Sequence, residues 1–422
     1  MEVEATVLGR FTDSGKFHVR FGDQTVACLD MAFLHNGLPQ MRLNARWQPP
    51  RHKEPDFPET ADPGLALKTM LARLNICSKE SVVRQYDHEV QGGSVVKPLV
   101  GAANDGPSDA AVIRPLLDSF EGVVTANGIC PRYSDIDTYH MAACAIDEAV
   151  RNTIAVGGSL ERLAGLDNFC WCDPVQSEKT PDGEYKLAQL VRANMALYDY
   201  TTAYGVPCIS GKDSMKNDYQ IGGTKISIPP TLLFSTIGFI QDVRKAVTMD
   251  AKKAGDLVYI LGTTYRELGG SEWYALHGHV GNNVPKVNAA KAKKLYTALS
   301  KAIAAGLVAS CHDCSDGGLG VALAETSFAG GLGLATDLSR VPCEGLQRND
   351  DLLFSESQSR FVVTVSPLAK PSFERMLKGN VHAEVGRVTA EGTLRIRGLK
   401  GNLIIDEDIY ELKAVWQKPL NF

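Results

Sequence analysis

The chain carries the same short pattern near both of its ends. Gly9 to Arg20 reads GRFTDSGKFHVR, and Gly386 to Arg397 reads GRVTAEGTLRIR. Each is GR-x-T-x-x-G followed by apolar–polar alternation that closes on Arg, the pattern of a tight turn feeding a half-buried strand. Each is followed by a Trp after a short stretch, NARW at Asn44 to Trp47 and KAVW at Lys413 to Trp416. The spacing is far too long for a solenoid, so the simplest account is a duplication. The chain then begins with the tail of one copy and continues with a whole second copy. Two unrelated hairpins that share a turn are the alternative. Residues Ala5 to Gly37 read as a β-meander too short to be stable alone, so their partner strands are expected elsewhere.

The 422 residues suffice for two or three domains. A hydrophobic content of 44% and a charged content of 22% can build a sizeable core. The net charge of −5, with no long basic run, argues against a nucleic-acid partner. No apolar stretch is long enough to span a membrane, and the start MEVEATVLGR is not a signal peptide. A cytoplasmic protein is expected. Cys311 and Cys314 have zinc-knuckle spacing, but no second matching pair completes a site.

Strands and helices intermix without a strict βαβ rhythm, which predicts an α+β or mixed α/β class. Residues 1–50 form the meander, and the Pro- and charge-rich residues 51–64 read as a linker. One domain is expected over 65–240 and another over 241–422. The strongest helix pattern is Tyr139 to Val156, Ala-rich and stopped by Gly157-Gly158. Glu148 and Asn152 lie four apart and share one face, where they can either supply oxygens to a cation or form a solvated edge. Lys286 to Gly306 is a helix region, and Ile226 to Ile240 reads as one buried strand.

His312 to Glu325, HDCSDGGLGVALAE, places Asp313 and Asp316 just before Gly317, Gly318 and Gly320 and the start of a helix. Glycines allow close backbone approach to a ligand, and helix-start amides favour anions. Carboxylates beside a phosphate need a cation between them, usually Mg²⁺. The segment reads either as a Mg-nucleotide site or as a glycine-rich turn with a capping Asp. Gly211-Lys212-Asp213-Ser214 follows a short apolar strand. It is not a Walker A motif, but it offers an amide, a cation and a hydroxyl to a phosphate.

Seven segments in order, YDHEVQGGSVVKP, PSDAAVIRP, AIDEAVRNTIAVGG, LDNFCW, ISGKDSM, HDCSDGGLGVALAE and FSESQSRF, resemble the phosphoribosylformylglycinamidine (FGAM) synthase family of purine biosynthesis over nearly the whole chain. The resemblance implies an A domain and a B domain of the aminoimidazole ribonucleotide (AIR) synthetase type, here those of the second of two fused halves. Residues 1–50 would be the closing strands of the first half's B domain. It implies a ligase that uses ATP to activate the amide of formylglycinamide ribonucleotide, with ammonia supplied from glutamine.

Carried over by residue, Asp109, Glu148, Asn152 and Asp313 would ligate Mg²⁺, with Ser108 and Ser315 near the nucleotide (ATP or ADP). Asp167 and Gly211 would touch ATP, and Ser214 the substrate. Lys212 stands where smaller members have a metal-binding Asn, so either Lys212 reaches phosphate or Asp213 takes the cation. The strand matching the family's catalytic stretch ends Thr125-Ala126-Asn127-Gly128, with no Glu or His, and no glutaminase Cys triad is present. No catalytic residue is therefore expected here, and the chain alone should not complete the reaction. Implied partners are the N-terminal half, a glutaminase subunit or domain and a small bridging subunit, with a homodimer of the fragment also open. Two other readings remain: a freestanding relative, such as a small-molecule kinase or selenophosphate-type synthetase, and a silent nucleotide-binding scaffold.

Overall fold

The computed structural model describes residues 3–421, which divide into two compact units, 1–44 and 45–422. The first unit is one antiparallel hairpin, Lys16–Phe21 with Gln24–Asp30, turned at Gly22 and followed at once by the short helix Met31–Asn36. The expected meander is thus a single hairpin plus a helix. Its apolar side chains, Phe17, Phe21, Val26 and Leu29 among them, are exposed.

The second unit holds two sheets. In the first, six strands run in the order Ser94–Val96, Ala111–Ile113, Gly122–Ile129, Thr231–Ile240, Leu163–Cys170, Cys208–Ser214. All pairs are antiparallel except the last, which is parallel. The expected strand Ile226 to Ile240 is two strands. Thr224–Ser227 belongs to a small separate hairpin, and Pro229-Pro230, unable to donate two successive ladder bonds, break the run. Helices Thr138–Ala155 and Gly183–Tyr204 pack against each other, and the first also lies on the sheet.

The second sheet has seven strands in the order Ser310–Asp313, Phe361–Val365, Leu257–Leu261, His382–Thr389, Gly333–Asp337, Thr393–Arg397, Leu403–Asp408. Its central strands Leu257–Leu261 and Phe361–Val365 are buried throughout, which accounts for their unbroken apolar runs. Helix Ala289–Ala304 packs on Thr138–Ala155 and Gly183–Tyr204. Helix Gly318–Gly330 packs on Ile409–Gln417 and Pro63–Leu71. One core cluster joins Ile146, Phe234 and Tyr200 to Tyr259, Tyr296 and Phe361, so the sheets share a continuous interior.

Both copies of the repeated pattern lead into a hairpin and a helix, although Gly386 to Thr389 lie in strand His382–Thr389 and residues 9–12 have no regular structure. Thr393–Arg397 and Leu403–Asp408 form an antiparallel pair followed directly by helix Ile409–Gln417. Asp408 caps that helix through the Tyr410 and Glu411 amides, whereas Asp30, at the matching position, pairs with Lys16 instead. In the later copy Leu394, Ile396, Ile405, Leu412 and Trp416 are buried. The two Trp residues differ. Trp416 donates to the Ile76 carbonyl at 2.9 Å, while Trp47 stacks on Tyr185.

Residues 51–64 have little regular structure but are fastened along the second unit. Phe57 packs among Trp273, Tyr274, His277 and His279, the Thr60 amide donates to Asp350, and Asn282 donates to the His52 carbonyl. All ten cysteines are free thiols. Among the described residues no helix is long and apolar enough to cross a membrane.

Candidate functional site

Helix Thr138–Ala155 is started by Asp137, whose carboxylate accepts from the Tyr139 amide, and is buried along nearly its whole length. Gly128 on the neighbouring strand lets it come close, since a Cβ there would lie 2.2 Å from the Ala145 carbonyl oxygen. A helix so enclosed must find partners for every polar side chain it carries. Arg151, fully buried, donates from Nη1 to Asp147 at 2.8 Å and to Gln358 Oε1 at 2.9 Å, and from Nε to Asp313 at 3.0 Å. Asp147 also accepts from the hydroxyls of Tyr204 (2.5 Å) and Tyr296 (2.6 Å) and from the Ser359 amide. Glu148 accepts from the Ile129 amide at 2.9 Å, and Asn152 donates to the Asn127 carbonyl at 3.1 Å.

The loop that ends at Asp109 meets the strand Ser310–Asp313 from the other sheet. Asp109 Oδ1 accepts from His312 Nδ1 at 2.7 Å and from the Asp313 amide at 3.1 Å. His312 Nε2 pairs with Glu325 at 3.0 Å. Burial opposes a charge on His312, but the Asp109 and Glu325 carboxylates on either side outweigh it and hold its pKa well above the ordinary value. One oxygen of Asp109 and the side-chain oxygen of Asn152 are buried without any donor.

Around them the carboxyls are crowded. Burial, with the charges of Asp313 and Asp316 added, pushes Glu148 up to about 8 despite the opposing Arg151 guanidinium. Burial, opposed by Arg151 and reinforced by Asp109, raises Asp313 to about 6. Burial, then Glu272 and Asp313, raises Asp316 to about 7. Acids held near protonation at neutral pH, beside orphaned oxygens, are the arrangement that a hard cation relieves. Asp109, His312 and Asp313 can each offer one atom within 4.8 Å of the others. Both His312 nitrogens are already engaged, with Asp109 and Glu325, so His312 orients Asp109.

Ser108 donates to the Ala110 carbonyl at 2.9 Å, and Ser315 supplies a carbonyl to the Gly318 amide. Gly317 and Gly318 both have positive φ, and a Cβ on Gly318 would lie 2.4 Å from the Ser355 carbonyl oxygen. The amides of this turn are less available to a ligand than the sequence suggests. Gly317 N–H donates to Glu356 at 2.9 Å, inside the protein. A cleft of about 760 Å³ runs from Ser108 and Asp109 over the uncovered face of the six-stranded sheet to Ile209 on its edge.

The other expected residues sit together on the parallel edge pair, where Asp167 pairs with Gly211 and Phe169 with Asp213. A Cβ on Gly211 would lie 2.9 Å from Asp167 Oδ1, and burial followed by Asp213 raises the Asp167 pKa. Alternation on a strand puts Gly211 and Asp213 on one face, and Lys212 and Ser214 on the other. Lys212 Nζ bonds Ser214 Oγ. The structure therefore does not place Lys212 with Asp167, and the expected short strand runs on through these residues to Ser214.

Sequence reasoning missed Asp147, Arg151, His312, Glu325 and Gln358. The signal for them was ionisable and amide side chains inside segments otherwise apolar enough to be core, AIDEAVRNTIAV and FSESQSRFVVTV for Asp147, Arg151 and Gln358, and the ends of HDCSDGGLGVALAE for His312 and Glu325.

The AIR synthase related protein N-terminal domain family matches residues 107–238, and the corresponding C-terminal domain family matches residues 253–398. This chain belongs to the AIR synthase-related family. Among curated relatives of this AIR synthase-related chain, the phosphoribosylformylglycinamidine synthase subunit PurL of Alkaliphilus metalliredigens is 33% identical, over 99% of this chain and 54% of that protein. PurL of Thermoplasma acidophilum is 30% identical, over 99% of this chain and 53% of that one. The chain thus spans about half the length of the curated relatives it matches. Solved folds agree. Thermotoga maritima PurL complexed with ADP superposes with a TM-score of 0.62 at 20% identity, covering 85% of this chain and 52% of that chain. The same protein complexed with FGAR, and the T. maritima PurLQS structure, give 0.61 and 0.62 at 19% identity. They cover 83% and 85% of this chain and 53% and 52% of theirs.

Proposed function

We propose that this chain is the C-terminal half of the synthetase part of FGAM synthase and that it binds a Mg-nucleotide where its two sheets meet. In this reading residues 65–240 are the A-type domain and 241–422 the B-type domain. Residues 1–50 close the B-type domain of the preceding half. The strand–strand–helix order common to 16–36 and 393–417 supports the last assignment.

What carries the proposal is that Asp109, from the loop before strand Ala111–Ile113, contacts Asp313 on the other sheet. Glu148 on the intervening helix feels the Asp313 charge, and Asp109 and Asn152 carry orphaned oxygens. These four side chains would hold Mg²⁺, with Ser108 and Ser315 beside the nucleotide. When bound, the cation supplies neutralising charge to phosphate oxygens. The chain's own residues do the orienting. His312 fixes Asp109, and Arg151, anchored on Asp147 and Gln358, fixes Asp313. Such a site has little to do beyond aligning oxygens and balancing charge.

The edge strand would contribute to a second site shared with an N-terminal half. Asp167, Gly211 and Asp213 would address ATP and its cation on one face. Lys212 and Ser214 would reach phosphate and substrate on the other. The substrate would be formylglycinamide ribonucleotide, as the FGAR complex of the T. maritima protein suggests. Ammonia would come from glutamine through a glutaminase subunit and a small bridging subunit, in keeping with the PurLQS assembly of that protein. A cytoplasmic setting belongs to the same reading.

A complementation assay tests the function. The purified chain with ATP, Mg²⁺, ammonia and FGAR is expected to form no FGAM. Addition of the N-terminal half is expected to restore synthesis, and Asp213→Ala with Ser214→Ala to remove it again. Turnover by the chain alone, or restored turnover that survives both changes, would overturn the proposal.

A further inference from the structure

A cavity that contains none of the proposed ligands of either site, though Gln358 on its wall also holds Arg151, lies in the second unit where helix Ala289–Ala304 begins. Its volume is about 240 Å³, and its walls include Lys286, Lys291, Lys294 and Asn288 with the backbone near Gly262 and Gly379. No carboxylate lines it. Three lysines line this one small hollow, and an anion among them would offset their like charge.

The polar groups are not spent elsewhere. Lys286 and Lys291 are exposed. Lys294 uses one ammonium proton on the Gly379 carbonyl at 2.7 Å, which leaves it two donors and tethers it to the opposite wall. Asn288, which caps the Lys291 amide at the start of the helix, also lines the hollow. The floor is rigid. Ser359, held at a φ of 59°, is bonded through its amide and hydroxyl to the buried Asp147. At that floor Gly262 lies against the Ser359 carbonyl oxygen, which a Cβ there would meet at 2.6 Å.

We propose that this cavity binds a small phosphate-bearing anion. Its volume is below the roughly 300 Å³ at which drug-sized sites begin, so it suits pyrophosphate or a compact phosphorylated metabolite and not a whole nucleotide. The lysines act as point charges, Lys291 and Lys294 from the helix and Lys286 from the segment before it. The inference does not rest on the proposed Mg-nucleotide site.

Calorimetric titration of the full chain with sodium pyrophosphate, in EDTA at fixed ionic strength, tests it. Saturable binding to one site per chain is expected. Lys286→Gln combined with Lys291→Gln should weaken it by about tenfold or more, the loss of two charge-assisted bonds. Lys301→Gln, at the far end of the same helix, should leave it unchanged, and so should Glu148→Ala. All variants alter side chains whose loss is checked by thermal melting. The proposal fails if the parent shows no saturable binding. It fails equally if the double variant binds as the parent does, if Lys301→Gln weakens binding as much as the double change, or if Glu148→Ala abolishes it.

Discussion

Arg151 is the residue on which the candidate site's geometry turns. It is fully buried and bridges Asp147 on its own helix to Asp313 on the other sheet. Removing one member of a buried ion pair leaves an uncompensated charge, which costs about 3–5 kcal/mol. Arg151→Ala should therefore lower the unfolding free energy by about that amount in urea titrations, with the loss concentrated where the sheets meet. Glu148 makes a prediction about pH. Its folded pKa of about 8 lies above its ordinary value of 4.5. The native state thus holds the proton more tightly than the unfolded chain. Glu148's contribution is fully present below pH 4.5 and is lost as pH rises towards 8. A bound cation takes the proton's place, so the rise in melting temperature on adding Mg²⁺ should be larger at pH 8 than at pH 6. An equal or smaller gain at pH 8 would show that Glu148 does not meet the ion.

At the scale of elements, the contact between strand Gly122–Ile129 and helix Thr138–Ala155 sets where Glu148 stands. Gly128→Ala forces a Cβ to within 2.2 Å of the Ala145 carbonyl oxygen and 2.7 Å of Glu148 Cβ, so the helix must shift. Overpacking of this kind costs about 1–3 kcal/mol, and the change should weaken Mg-nucleotide binding as well as lower the melting temperature. A stable variant with unaltered nucleotide affinity would show that the helix position is not critical. The long helices were legible because Ala-rich periodicity and the Gly157-Gly158 stop are local signals. The break of Ile226 to Ile240 into two strands was marked by Pro229-Pro230 and still read through, because apolar β-branched residues continue on both sides. The orientation of Lys212 was hidden for a different reason. Which side of a sheet a residue faces depends on pairing with Asp167 and Phe169, distant in sequence.

For the whole molecule, the family resemblance made the AIR synthase-related fold readable before any coordinates. Some of the candidate site was also readable: Asp109, Glu148 and Asp313 each stand in a recognisable motif. The network behind them was not. Arg151, Asp147, His312 and Gln358 look like isolated polar residues in sequence and acquire a role only when two sheets close over them. The first unit's exposed Phe17, Phe21 and Leu29 contrast with the buried Leu394, Ile396 and Ile405 of the matching copy. If 16–36 complete another B-type sheet, addition of the N-terminal half should protect the amides of 16–30 from hydrogen exchange. Unchanged exchange there would count against that assignment. The central claim is that oxygen ligands from both sheets share one cation and one nucleotide. Calorimetry of Mg-ADP binding to the parent chain, Glu148→Ala and Asp313→Ala measures this directly. The account predicts binding by the parent that requires Mg²⁺ and is lost in both variants; parent-like Mg-ADP affinity in both would contradict it.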